Sequence, residues 1–99
     1  MTRSLSVRDV AEEELAGAID WYEARARGTG ARLLEQVRAA LALVADGFDG
    51  SPHPEVDGVR RLVLTRFPYA IVFIVESAHV EVLAFEHLRR RPGYWRQRR

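Results

Sequence analysis

The pattern of apolar positions divides the chain into a helical first half and a strand-rich second half. A short alternation over Ser4–Val7 predicts a first strand. Two helical stripes follow, separated by Gly28 and Gly30. The first helix is expected to begin at Asp9, three residues before Glu12, in a spacing close to a capping box. Two helices joined so tightly predict an antiparallel hairpin. The stripe positions are Val10, Leu15, Ala18, Ile19 and Tyr22, then Leu33, Leu34, Val37, Ala40, Leu41 and Val44.

The second half reads as a loop followed by three strands. Asp46-Gly47 should end the second helix, and the punctuation by Gly and Pro predicts a loop over Phe48–Gly58. Strands are predicted at Val59–Thr65, Tyr69–Glu76 and Val80–Glu86, with connections short enough for hairpins. The middle strand is nearly all apolar, as a strand covered on both faces would be. This order predicts one α+β domain over residues 1–99, an antiparallel sheet packed against an N-terminal helical hairpin, with a tail over residues 87–99 that could hold a helical turn.

Composition narrows the class of protein. The chain has 99 residues, is 47% hydrophobic and contains no cysteine, so a disulfide framework, a thiolate zinc site and a thiol nucleophile are excluded. The N-terminus lacks the apolar core of a signal peptide, and the longest apolar run, Tyr69–Val75, is too short to span a bilayer. No second histidine lies near His87 in sequence, which argues against a metal site. We therefore expect a soluble, cytoplasmic protein without a cofactor and without membrane contact.

Charge is distributed unevenly along the chain. Residues 59–99 contain nine Arg and three Glu, a net of +6, whereas residues 1–58 contain six Arg and eleven acidic residues, a net of −5. Lysine is absent, and arginine keeps its charge and presents a planar fork of donors. A basic tail indicates an anionic partner, which could be nucleic acid or an acidic protein. The acidic first helix could also neutralise part of it.

Three short motifs carry a resemblance to a known family. They are the Ile19–Glu23 segment of the first helix, the Arg66-Phe67-Pro68-Tyr69 turn, and the His-x-x-Arg-Arg-x-Pro-x-x-Trp pattern that ends the chain at His87–Trp95. Their order and spacing resemble the RelE/ParE superfamily of bacterial toxin–antitoxin toxins, over nearly the whole chain. The resemblance implies a small toxin held inactive by a cognate acidic antitoxin, with promoter DNA bound only through the complex of the two.

The resemblance leaves the target of the toxin open between two branches. RelE-like members cleave mRNA on the ribosome without metal, and ParE-like members poison DNA gyrase. Ala70 stands directly after Tyr69, where the ribonucleases tend to carry an arginine that a methyl group cannot replace. The turn and the chain ending are also similar to the ParE-like side. We therefore expect a ParE-like gyrase poison, not an ordinary enzyme, with the ribonuclease as the alternative and a non-toxic binding module as a second one.

Candidate site residues follow from these branches. If the protein were a ribonuclease, cations for the phosphate and groups for proton transfer would be needed. The first set is Arg60, Arg61, His87, Arg90 and Tyr94. Contacts to the target or the antitoxin would come from a second set, Arg66, Arg89, Arg91, Trp95, Arg96 and Trp21. Structural roles compete for several of them: His87 could simply finish the sheet, Trp95 could pack the tail onto it, and the arginines could pair with Glu81 or Glu86.

Overall fold

A computed structural model describes residues 2–90 and 93–98. Two helices pack on a five-stranded sheet whose strand order is β1-β5-β4-β3-β2, which confirms the α+β prediction. The elements are β1 (Ser4–Val7), α1 (Asp9–Arg25), α2 (Thr29–Ala45), β2 (Ser51–Pro52), β3 (Arg60–Val63), β4 (Tyr69–Glu76), β5 (His79–His87) and a 3₁₀ turn (Arg96–Arg98).

The sheet is mixed, which differs from the fully antiparallel prediction. Strand β1 runs parallel to β5, with Ser4 opposite His79 and Val7 opposite Val82. A tight turn would impose antiparallel pairing, but β1 is separated from β5 by two helices and three strands, so no turn fixes its direction. The predicted loop also contains the two-residue strand β2, which pairs with β3.

The hairpin turn between the helices explains why two glycines lie close together. Gly28 precedes α2 with a φ of +89°, a left-handed conformation that favours glycine. A Cβ on Gly30 would lie 2.7 Å from the backbone oxygen of Ile19, so the helices approach too closely for a side chain. The Glu23 carboxylate accepts the backbone N–H groups of Gly28 and Gly30 and satisfies the start of α2.

The predicted capping box at the start of α1 does not form. The helix begins at Asp9 as expected, but Arg8 occupies the N-cap position and no side chain caps the helix. The backbone N–H groups of Ala11 and Glu12 donate to the carbonyl of Arg8 instead. The boundary was therefore predicted correctly on a wrong local reason.

The main core fills the space between the helical hairpin and one face of the sheet. Both helices contribute residues three or four positions apart, and β4 and β5 contribute alternate residues. Val10 departs from the predicted stripe, because its side chain is 41% exposed and Ala11 is buried instead. The buried residues of this core are Ala11, Ala18, Leu33, Val37, Ala40, Val44, Leu64, Phe67, Ile71, Phe73, Val80, Val82 and Phe85.

A second, smaller core lies on the opposite face of the sheet. Its largest member is Trp95, which comes from the C-terminal tail and is 0% exposed. The β4–β5 register shifts between Val72 and Phe73, so that Leu83 is skipped in the pairing. Such an irregularity changes which face a side chain meets, and Leu83 and Ala84 both join the second core. Its buried members are Val59, Val72, Leu83, Ala84 and Trp95.

Replacing Trp95 by alanine should destabilise the fold strongly, by about 3–5 kcal/mol, because it empties the centre of the second core. The matched control is Trp21→Ala, which removes the same side chain from a position 51% exposed and should cost about 1 kcal/mol or less. Urea unfolding of the two variants measures both values. Equal losses would contradict the burial of Trp95.

Candidate functional site

The tail is anchored to the rest of the fold by Glu14 of α1. The Tyr94 hydroxyl donates to Glu14 Oε2 over 2.7 Å, and the Arg98 guanidinium donates to both carboxylate oxygens at 3.0 and 3.2 Å. The backbone N–H of Phe85 on β5 also donates to Glu14, at 3.2 Å. One side chain of the first helix therefore joins a strand to two residues of the tail. This confirms that the acidic first helix neutralises part of the basic tail.

A second carboxylate anchors the tail from the other face of the sheet. Glu86 on β5 is buried, and its Oε2 accepts the indole N–H of Trp95 at 2.6 Å and the backbone N–H of Gly93 at 3.4 Å. A buried carboxylate needs such donors, since burial without them is costly. The expectation that Glu86 pairs with Arg60 or Arg61 is therefore wrong, and Glu81 pairs with Arg8.

His53 completes this buried cluster. The backbone N–H of Glu55 donates to His53 Nδ1 at 3.1 Å, so that nitrogen carries no proton. Nε2 is then the donor to Glu86 Oε1, at 3.4 Å. The ring also meets the Trp95 indole edge-to-face, with centroids 5.1 Å apart. His53 thus links the loop after β2 to the tail.

The five residues of the predicted catalytic set are not brought together. Arg60 pairs with Phe73 while His87 pairs with Tyr69, four residues away along β4. At about 3.3 Å per residue, this separates them by roughly 13 Å along the strands. The Arg60 guanidinium is directed to the backbone oxygen of Asp49.

Arg61 lies on the opposite face of the sheet from His87. Its cross-strand partner Val72 belongs to the second core, whereas the His87 partner Tyr69 packs against the main core. Directly opposed side chains of an antiparallel pair share a face. The two halves of the predicted catalytic set are thus separated by the sheet itself.

His87 and Tyr94 have environments that suit structural roles. Burial, with Arg90 and Arg89 nearby, lowers the pKa of His87, and its Nδ1 accepts the backbone N–H of Arg89 at 3.1 Å. Burial and the hydrogen bond to Glu14 raise the pKa of the Tyr94 phenol well above its ordinary value. A raised pKa makes the phenol a poorer proton donor.

A groove runs between α1 and the ends of β4 and β5. Its volume is about 870 Å³, its floor contains Tyr69 and Phe85, and one wall is the α1 face with Val10, Gly17 and Trp21. The opposite wall is basic and is formed by His87, Arg89, Arg90 and Arg98. His87 and Arg90 from the catalytic set therefore meet Trp21 and Arg89 from the binding set in this groove.

The remaining predicted contact residues are dispersed. Arg66 is exposed and lines a separate cavity of about 530 Å³ beside α2, together with Phe67. Arg96 is exposed on the tail, and Trp95 is buried, so it cannot touch a partner while the tail is docked. Arg91 lies outside the described residues.

Three important residues were missed by sequence reasoning: Glu14, Glu86 and His53. Glu86 did offer a signal, because it is a charged residue in an otherwise apolar strand, opposite Ala70. Glu14 stands among three consecutive glutamates and could not be singled out by its spacing. His53 lies in a loop, and only the tertiary fold brings it to Glu86.

Two searches of the described residues gave negative results. None of the helices within residues 2–90 and 93–98 has the length and apolar content needed to cross a membrane. Over the same residues, His, Asp and Glu do not cluster in groups of three or more that could bind a metal ion.

Comparison with known proteins agrees with this architecture. The helical hairpin on a mixed sheet is the RelE/ParE-like fold, and the profile of a family described as "ParE toxin of type II toxin-antitoxin system, parDE" matches residues 5–92. The chain therefore belongs to the ParE toxin family of type II toxin–antitoxin systems, which confirms the ParE-like assignment.

A solved structure supports the same relationship. A chain described as "Chromosomal ParDE TA system from P. aeruginosa" is 25% identical to this one and superposes with a TM-score of 0.74, covering 88% of this chain and 97% of that chain. No curated protein matches the sequence significantly.

Tyr94→Phe should lower stability at neutral pH by about 1.5 kcal/mol, because it removes a hydrogen bond to a charged group. It should also flatten the fall in stability at high pH. The fold favours the protonated phenol, so this contribution is present below the ordinary Tyr pKa of 10.0 and is lost as pH rises above it. Urea unfolding between neutral pH and pH above 10 measures both effects.

Tyr22→Phe is the matched control for this experiment, since it leaves the Glu14–Tyr94 hydrogen bond in place. An alkaline fall that is equally steep in Tyr94→Phe and in Tyr22→Phe would contradict the role assigned to Tyr94.

Proposed function

We propose that this ParE-family toxin arrests growth by trapping DNA gyrase on DNA, acts in the cytoplasm by binding and not by catalysis, and is neutralised by a cognate acidic antitoxin. The observation that carries this choice is the separation of the catalytic set. Arg61 faces the second core, and His87 lies on the other face of the sheet. Metal-free RNA cleavage needs its base, acid and cations around one phosphate.

The sheet face that carries the second core is also unsuited to a phosphate. It is closed by Trp95 and contains the buried Glu86 carboxylate, opposite Ala70 in the β4–β5 register. A carboxylate beside a phosphate would repel it. An arginine at position 70 would lie against Glu86 and not in an open site. These contacts favour a protein that acts through its outer surface.

The exposed arginines support action by binding. Arg66, Arg89, Arg90 and Arg96 are all exposed, and clustered positive charge speeds association with an anionic surface. A DNA-bound gyrase offers such a surface, and so does an acidic antitoxin. Competition for these arginines would explain how an antitoxin neutralises the toxin.

The wild-type protein should inhibit supercoiling by purified gyrase at micromolar concentration and should cause cleaved plasmid DNA to accumulate. Gel electrophoresis of the plasmid after protease treatment measures both effects. The control is the same toxin mixed beforehand with the acidic protein encoded in the adjacent reading frame, which should restore supercoiling. Absence of any effect on gyrase, together with mRNA cutting on ribosomes, would establish the RelE-like alternative instead.

Toxicity should survive the double substitution His87→Gln and Tyr94→Phe, because neither side chain has a chemical step to perform. Growth after induced expression measures this, with protein abundance checked by immunoblot so that an unstable variant is recognised. Growth arrest abolished at equal abundance would return proton transfer to these residues. If the wild type itself does not slow growth, the chain is a non-toxic binding module.

A further inference from the structure

Gly17 has no explanation within the described fold. It lies inside α1, where glycine is destabilising relative to alanine. A Cβ added at Gly17 would have no heavy atom within 4 Å. Gly30 is different, since its missing side chain lets the two helices approach. The bare backbone at Gly17 therefore offers room to something outside the described residues.

The surroundings of Gly17 are apolar and unusually exposed. Val10 and Trp21 are 41% and 51% exposed, and they lie seven residues before and four residues after Gly17, spacings that place all three along one side of the helix. The three residues line the groove described above. A large exposed aromatic beside a bare stretch of helix is typical of an anchor for a partner side chain.

Trp21 is held in position before any partner binds. The Arg25 guanidinium lies 3.5 Å from the centre of the Trp21 ring and donates to the Trp21 carbonyl at 3.1 Å. Tyr22 meets the same ring edge-to-face, with centroids 4.9 Å apart. An ordered anchor loses less entropy on binding than a mobile one.

The opposite wall of the groove carries uncompensated positive charge. Arg98 is paired with Glu14 at 3.0 Å. Within residues 2–90 and 93–98, no carboxylate lies within salt-bridge distance of the guanidinium of Arg89 or Arg90. An occupant of this groove should therefore combine an apolar surface with a carboxylate.

We propose that this groove binds an amphipathic segment of the antitoxin. The segment approaches the backbone of α1 at Gly17, packs apolar side chains against Val10 and Trp21, and places a carboxylate against Arg89 and Arg90. This inference rests on the proposed function, since it requires that an antitoxin exists. It adds the seat, the close approach at Gly17 and the charge of the bound segment.

Gly17→Leu is the direct test. Its side chain would fill the point of close approach, and affinity for the purified acidic protein from the adjacent reading frame should fall at least about tenfold, as for the loss of an interface anchor. Ala16→Leu adds the same side chain to an exposed position of α1 outside the groove lining and should change affinity less than about twofold. Titration calorimetry measures both. Equal affinities for the two variants would overturn the proposal.

Gly17→Ala separates binding from stability. It should raise the urea midpoint of the free toxin and at the same time weaken antitoxin binding. A stability effect alone would leave the glycine without a binding role and would count against the proposal.

Charge reversal tests the basic wall. Arg89→Glu combined with Arg90→Glu should weaken binding and reduce its dependence on salt, whereas Arg38→Glu, an exposed change on α2, should affect it little. If the wild type does not bind the adjacent protein at all, the proposed function fails as well. If the wild type and every variant bind equally, only the groove is wrong.

Discussion

The rest of the structure depends on the need to cover both faces of the β4–β5 pair. Their central residues are apolar on each side, so the sheet cannot leave one face in water. The helical hairpin covers one face. The other face is too small for a second pair of helices, and the tail covers it with Trp95. The 2.6 Å hydrogen bond from the Trp95 indole to Glu86 satisfies both a buried donor and a buried carboxylate.

This way of closing the sheet also determines how charge is arranged. The acidic first half and the basic last third meet at Glu14, where Arg98 and Tyr94 are bound. That contact neutralises one arginine and leaves Arg89 and Arg90 without a carboxylate partner among the described residues. The asymmetry visible in the sequence is therefore partly internal, and what remains of it is concentrated beside one groove.

The elements of the fold could largely be predicted from the sequence, because each apolar stripe and each Gly or Pro turn is a local signal. The α2 stripe and the Gly28–Gly30 break are examples. The site could not be predicted, since it depends on contacts distant in sequence. Glu14 and Phe85 are 71 residues apart, and His53 and Glu86 are 33 apart. The parallel pairing of β1 also has no local signature. Arg60 and Arg61, read as cations of one site, lie apart because alternation along a strand sends neighbours to opposite faces.

The docked tail and the groove are linked through the same anchors. Arg89 and Arg90 lie between the end of β5 and the segment that Trp95 and Glu14 hold in place. Fixing both ends of a short segment restricts where its side chains can go, which reduces the entropy that a partner must remove on binding. The buried tryptophan therefore contributes to recognition without touching the partner. In this arrangement the basic tail is first a structural element, and its exposed arginines are presented by a scaffold that the acidic first helix helps to hold.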